Sequence, residues 1–264
     1  MDPSTGGAVP GAPPIDPAGG VPALPGAPPI DPAGGVPALP GAPPELDPLP
    51  LLLAAAAAPG RSLFGLAAEP GAGKTTLAAQ LCARVNAARP GSCVALSMDG
   101  FHLYRAQLAQ GVAGRSPAEA LARRGAPWTF DPAALAAKVR AVRAGYGAAA
   151  VGWPGFDHAV GDPEEGHVLV QPCVAVVLVE GLYLLHRGDG WGALEGLLDA
   201  TWYLDTPPET AQQRLCARHQ QAWGISAEEA RQRIALNDGP NAELVRQGRA
   251  RASGLVHCRS AQQC

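Results

Sequence analysis

Ala68-Glu69-Pro70-Gly71-Ala72-Gly73-Lys74-Thr75-Thr76 is the stretch whose reading decides the fold. Before it runs Leu63-Phe64-Gly65-Leu66-Ala67, a short apolar segment that reads as a buried strand. After it, Leu77, Leu81 and Val85 recur at helical spacing and define one apolar face. Strand, Gly-rich turn, Gly-Lys-Thr and helix together read as a phosphate-binding loop. The backbone N–H groups of Gly71, Ala72, Gly73, Lys74, Thr75 and Thr76 would converge on phosphate oxygens, where the helix dipole also favours negative charge. Lys74 would reach the terminal phosphates, and the Thr75 hydroxyl would ligate Mg²⁺. Ala68 stands where this pattern usually has Gly, and it would strain the turn if a positive φ were needed there. The bland alternative is a Gly-rich turn with an incidental lysine. Lys74 and Lys138 are the only lysines beside eighteen arginines, which argues against a lysine placed there by drift.

A chain of 264 residues suits one α/β domain or two small ones. Its net charge of −3 gives no electrostatic case for nucleic acid as the main partner. No apolar run approaches the ~20 residues of a membrane span. The six cysteines are scattered with no C-x-x-C pair, so neither a metal site nor a disulfide framework is supported. A reduced, cytoplasmic protein is the expectation.

Residues 11–25 read GAPPIDPAGGVPALP, and residues 26–40 repeat the same letters before a third copy breaks off at Glu45. Such Pro and Gly density removes donors and disfavours helix and sheet alike, so residues 1–45 are expected to be a disordered tail. Residues 46–264 then form the folded domain. The tail lacks Lys and Arg, unlike a transit peptide or the charged start of a signal peptide.

Along the domain, Leu46 to Ala58 reads as a helix broken at Pro59-Gly60, Arg89-Pro90-Gly91 as the stop of the helix after the phosphate loop, and Cys93 to Ser97 as a strand. Ser116-Pro117-Ala118-Glu119, Thr206-Pro207-Pro208-Glu209 and Ser226-Ala227-Glu228-Glu229 read as capping boxes. Asp131 reads as the N-cap of a helix presenting Leu135, Val139 and Val142. Val174 to Val179 is a continuous apolar run, as in a parallel strand covered on both faces. Thr201 to Asp205 and Leu255 to Cys258 complete the strands. Alternating strands and helices predict a three-layer α/β fold, a P-loop NTPase with a mainly parallel sheet and a helical lid. Ligands of such sheets bind at the carboxyl ends of the strands. The phosphate loop, Asp99 and Glu180 each lie just past a predicted strand end, and should converge.

Those residues allow phosphoryl transfer. Glu180 would hold Mg²⁺ or orient the nucleophile; a plain helix-start carboxylate is the alternative. Asp99 is the candidate base for a substrate hydroxyl, with a simple Asp-Gly turn as the alternative. Arg214 and Arg218 share a helical face opposite Ala211 and Leu215 and could close over a triphosphate; a solvated face is the alternative, especially for Arg218.

PGAGKTT, MDGFHL, RRGAPWTFD, PGFDHAVGDP, VEGLYLL, RLCARH and NDGPNAELV occur in this order across roughly residues 60–258. Together they resemble the P-loop kinases of the phosphoribulokinase, uridine kinase and bacterial pantothenate kinase family. The likeness is strongest to its nucleoside/nucleotide kinase, or fructose-transport-system kinase, branch. The resemblance implies Asp99 as base, Lys74, Glu180 and Arg214 in catalysis, and Arg218 on the nucleotide. It implies His102, Tyr104, Arg123, Arg124, Phe156, Asp157 and His158 along the acceptor, with Trp128 and Phe130 as packing. His158 stands where relatives often carry Arg. Asn237, Asp238 and Asn241 match an ND-x-x-N segment to which no role attaches, and capping accounts for Asn241 equally well. The expectation is an ATP- and Mg²⁺-dependent kinase acting on an alcohol of a sugar, nucleoside or pantothenate-like metabolite. A homodimer is compatible with the sequence. A regulatory NTP switch is the alternative, although a GTPase would need N-K-x-D and no Asn-Lys pair occurs.

Overall fold

The computed structural model describes residues 42–157 and 160–257. Most of the repeat region, and His158, lie outside them. Pro44 to Leu46 belong to the folded part: the Pro44 carbonyl accepts from Leu255 N–H (2.8 Å), and Leu46 N–H donates back to Leu255 (2.9 Å).

In chain order the elements begin with α1 (Pro48–Ala57), β1 (Ser62–Ala67), α2 (Lys74–Ala88) and β2 (Cys93–Ser97). Then come α3 (Arg105–Leu108), α4 (Pro117–Ala122), α5 (Pro132–Ala144), β3 (Val151–Phe156), β4 (Pro163–Val170) and β5 (Val176–Gly181). The last are β6 (Ala200–Leu204), α6 (Pro208–Trp223), α7 (Ala227–Arg233), α8 (Gly239–Gln247) and β7 (Gly254–Val256). Five strands form a parallel sheet ordered β2-β5-β1-β6-β7.

Strand periodicity divides the core in two. Val176 and Leu178 of β5, with Phe64 and Leu66 of β1, face a layer containing Leu52 of α1 and Leu81 and Val85 of α2. Val177, Val179 and Leu63 face Leu135, Val139 and Val142 of α5. This is the three-layer arrangement. Asp131 caps α5 as expected, accepting from Ala134 N–H (2.8 Å).

Two sequence expectations needed revision. Val151–Phe156 and Pro163–Val170 pair antiparallel as β3 and β4, where no strand was expected. Pro154 demotes such a segment on paper, but the register shifts between Trp153 and Gly155, so the proline occupies the irregularity. Thr206 does not cap α6. Its hydroxyl donates instead to the Ala72 carbonyl (3.0 Å), tying the start of α6 to the phosphate loop.

Candidate active site

Register makes the convergence concrete. Leu66 of β1 and Ser97 of β2 both lie opposite Glu180 of β5, so three chain segments leave the sheet at one level. From β1 comes the loop 68–73, whose Gly71 (φ +78°) and Gly73 (φ +97°) turn the backbone N–H groups inward. A Cβ on Gly71 would also lie 2.2 Å from the Ala211 carbonyl, because α6 packs directly onto the loop. Ala68 is fully buried in the core and is not among the positive-φ residues, so the feared strain is absent.

Glu180 is the buried centre of this edge, 3 % exposed. Its Oε1 accepts from the Thr75 hydroxyl (3.0 Å), while its Oε2 is buried with no hydrogen-bond partner among the described residues. Burial pushes its carboxyl pKa up; Lys74 pulls it down and Asp99 pushes it up further. Lys74, Thr75, Asp99 and Glu180 therefore sit within electrostatic reach of one another. A hydroxyl and an orphaned carboxylate oxygen are hard donors that fit Mg²⁺, which is typically held by one or two protein oxygens plus substrate phosphates. No cluster of three or more His, Cys, Asp or Glu among the described residues could cage a metal alone.

Arg214 Nη1 reaches the Ala72 carbonyl (3.4 Å), so the first lid arginine lies over the loop. Arg218, one turn on, is exposed. Around Asp99, a short 3₁₀ turn (Met98–Phe101) follows β2, and the Asp99 carbonyl lies 2.8 Å from His102 Nδ1. Gly100 is required there because a Cβ would lie 2.1 Å from the Pro154 carbonyl. His102 is held between two rings, Phe130 (3.9 Å) and Phe156 (4.3 Å). Tyr104 is exposed beside a cleft of about 770 Å³ bounded by α5, β3 and β4. Asp157, just past β3, is exposed.

Arg124 is engaged by the protein itself. It donates to the carbonyls of Gly161 and Leu103, the latter at 2.9 Å, and to Asp162 Oδ1 (3.1 Å). Its guanidinium also lies 5.3 Å from the Phe156 ring. It thus ties Leu103, Gly161 and Asp162 together, and in this arrangement does not offer both Nη groups to a ligand.

No family model matches the chain. Individual relatives do. The ATP-dependent kinase-like protein notR' of Aspergillus versicolor is 37% identical over 163 residues, covering 60% of this chain and 92% of that protein. The chain belongs to the P-loop kinase family. A Schizosaccharomyces pombe protein provisionally named uridine kinase C227.14 is 36% identical over 189 residues, 70% of this chain and 78% of that one. A crystal structure from Silicibacter sp. TM1040, provisionally named a fructose transport system kinase, superposes with a TM-score of 0.67 at 31% identity. It covers 79% of this chain and 98% of that chain.

The P-loop kinase edge also contains groups whose contacts the motifs did not foretell. Glu69, inside the loop, is buried and paired with Arg246 of α8 (2.7 Å). Burial pushes its carboxyl pKa up, and Arg246 opposes that. Thr206 was read only as a cap. Asn241 proves not to be a cap either: it is 1 % exposed and its side chain is hydrogen-bonded to the 123–125 loop. The ND-x-x-N segment singled it out, but gave it no role.

Proposed function

We propose that the chain is an ATP- and Mg²⁺-dependent phosphotransferase that moves the γ-phosphoryl group to an alcohol of a small metabolite: a sugar, a nucleoside or a pantothenate-like compound. The observation that carries this reading is the meeting of Lys74, Thr75, Asp99 and Glu180 at one level of the sheet, beside a loop shaped for phosphates. When bound, Mg²⁺ would offset phosphate charge, with Thr75 and Glu180 holding it. Lys74 and the loop N–H groups bind the β- and γ-phosphates and fix the γ-phosphorus against the acceptor. Asp99 accepts the hydroxyl proton as that oxygen bonds to phosphorus and the bond to the bridging oxygen breaks, leaving ADP. Arg214 and, as the lid closes, Arg218 meet the charge spread over the transferring group. His102, Tyr104, Phe156, Asp157 and His158 shape the acceptor side, with Arg124 bracing it.

No helix among the described residues is long and apolar enough to cross a membrane. A cytoplasmic location belongs to the same proposal. A coupled ADP-release screen over sugars, sugar phosphates, nucleosides, glycerate and pantothenate tests the reading, with Asp99→Asn as the blank. Release stimulated by one class of alcohol and absent from the blank is expected. Release that responds to a protein partner and to no alcohol would replace the kinase with a nucleotide switch.

A further inference from the structure

Between the lid and the acceptor loop lies a joint made almost wholly of side chain to main chain hydrogen bonds. Ile234–Asp238 form a π-helical turn, a widening of the helix that recurs at functional positions. From it, Asn237 Nδ2 donates to the Arg124 carbonyl (3.0 Å). One turn on, Asn241 Nδ2 donates to the Gly125 carbonyl (3.1 Å), and its Oδ1 accepts from Arg123 Nη2 (3.3 Å). Arg123 Nη1 also reaches back to the Leu236 carbonyl (3.2 Å). Tyr183, three residues beyond Glu180, donates to the same Gly125 carbonyl (2.6 Å). Gly125 has φ +103°, so this loop conformation depends both on glycine and on the partners that hold it.

The other side of the turn lies against the lid helix. Asp238 Oδ2 lies 3.3 Å from Nε2 of His219, which α6 carries next to Arg218. His219 packs edge-on against Trp223 (4.5 Å), and Arg233 lies over that indole (4.1 Å). Asn237 and Asn241 thus bind the acceptor loop, while Asp238 between them lies against His219 of the lid helix.

The joint is also where hydrogen bonding is least complete. Seven buried side-chain polar atoms lack a partner among the described residues. Four of them are here: Arg123 Nε, Arg124 Nε, Asn237 Oδ1 and His219 Nδ1. Unpaired buried polar atoms are rare in a settled core, and a group of them at one joint calls for a cause. A joint that exchanges partners supplies one.

We propose that Asn237 and Asn241 are positioning residues, which set the main chain of Arg124-Gly125 and hence the acceptor wall according to where nucleotide draws helix α6. This rests on the kinase reading above, with α6 as the lid and 123–130 on the acceptor side. Neither asparagine touches substrate. Their effect passes through the two carbonyls they hold, and the acceptor site is completed only when the lid is seated.

Hydrogen–deuterium exchange on the full chain, with the non-hydrolysable analogue AMP-PNP and Mg²⁺ as probe, tests this without knowledge of the acceptor. In the wild type the probe slows exchange at 68–76, in α6 and at 123–130. In Asn237→Ala/Asn241→Ala the first two responses persist and the third disappears. Asn241→Asp keeps the oxygen that Arg123 donates to but removes the donor to Gly125, so it also loses the 123–130 response, and serves if the double variant does not fold. A merely structural role would change melting and resting exchange but not this response to nucleotide. A variant that responds like the wild type at 123–130 overturns the proposal. So does a wild type that responds at 68–76 and not at 123–130. Absence of any response at 68–76 in the wild type would instead refute the nucleotide reading, and the proposal with it.

Discussion

The nucleotide edge and the proposed acceptor side of this molecule are built by different means. At the nucleotide edge, consecutive main chain and strand register do the placing: the 68–73 loop, Thr75 and Glu180 follow directly from where β1 and β5 end. On the acceptor side, segments far apart in sequence meet through single side chains. Asn237 reaches Arg124, Asn241 reaches Gly125, and Arg124 reaches Leu103, Gly161 and Asp162. Main-chain placement tolerates substitution of neighbouring side chains. Side-chain placement fails when one amide is lost. The first region should therefore be rigid and general for nucleotide, and the second adjustable and specific.

Arg214 breaks that comparison. It belongs to the lid but lies over the loop, 3.4 Å from the Ala72 carbonyl. Arg214→Ala should lower kcat by about a hundredfold, by loss of charge stabilisation in transfer, with nucleotide affinity changed only a few-fold. Steady-state kinetics with the acceptor found by the screen, alongside fluorescent-nucleotide titration, measures both. Equal losses in affinity and kcat would make Arg214 a plain nucleotide clamp.

Glu180 gives a smaller effect, on stability. Its carboxyl pKa is raised by burial, so above its unfolded pKa the native state retains more protons than the unfolded chain. Stability contributed by this group is therefore full below the unfolded pKa and falls as pH rises toward and through the raised native one. Glu180→Gln removes that cost: the ligand-free variant should melt about 3 °C above the wild type at pH 8, with the gap closing toward pH 5. The variant should also lose Mg²⁺-dependent turnover. Melting curves across this pH range would contradict the assignment if the gap were constant or reversed.

The difference between the two regions also explains what could be read from sequence. The phosphate loop, the strand ends at Asp99 and Glu180, and the α5 cap were legible because each is a local pattern: an apolar run, a glycine turn, a capping residue. The β3–β4 pair was not, because Pro154 and its flanking glycines spoil the alternation that marks a strand. Thr206 was misassigned because Thr-Pro-Pro-Glu satisfies a capping pattern, while its hydroxyl bonds to a carbonyl 134 residues away. Ala68 raised a concern that depended on φ, which no letter encodes. Asn237 and Asn241 matched a family segment without a role, since their partners are carbonyls, and carbonyls are the same at every residue. Glu69 illustrates the same limit: a carboxylate within a glycine loop reads as exposed until Arg246 is seen beside it.

The central claim is that one sheet edge holds a phosphate cradle and, separately, a base. Asp99 lies on the β2 side of Glu180 and makes no part of the 68–76 loop. Parallel measurement of nucleotide affinity and acceptor-dependent turnover in Asp99→Asn tests this most directly. The account predicts turnover reduced by about a thousandfold or more, with nucleotide affinity within about twofold of the wild type. Parallel loss of affinity and turnover, or turnover retained, would contradict it.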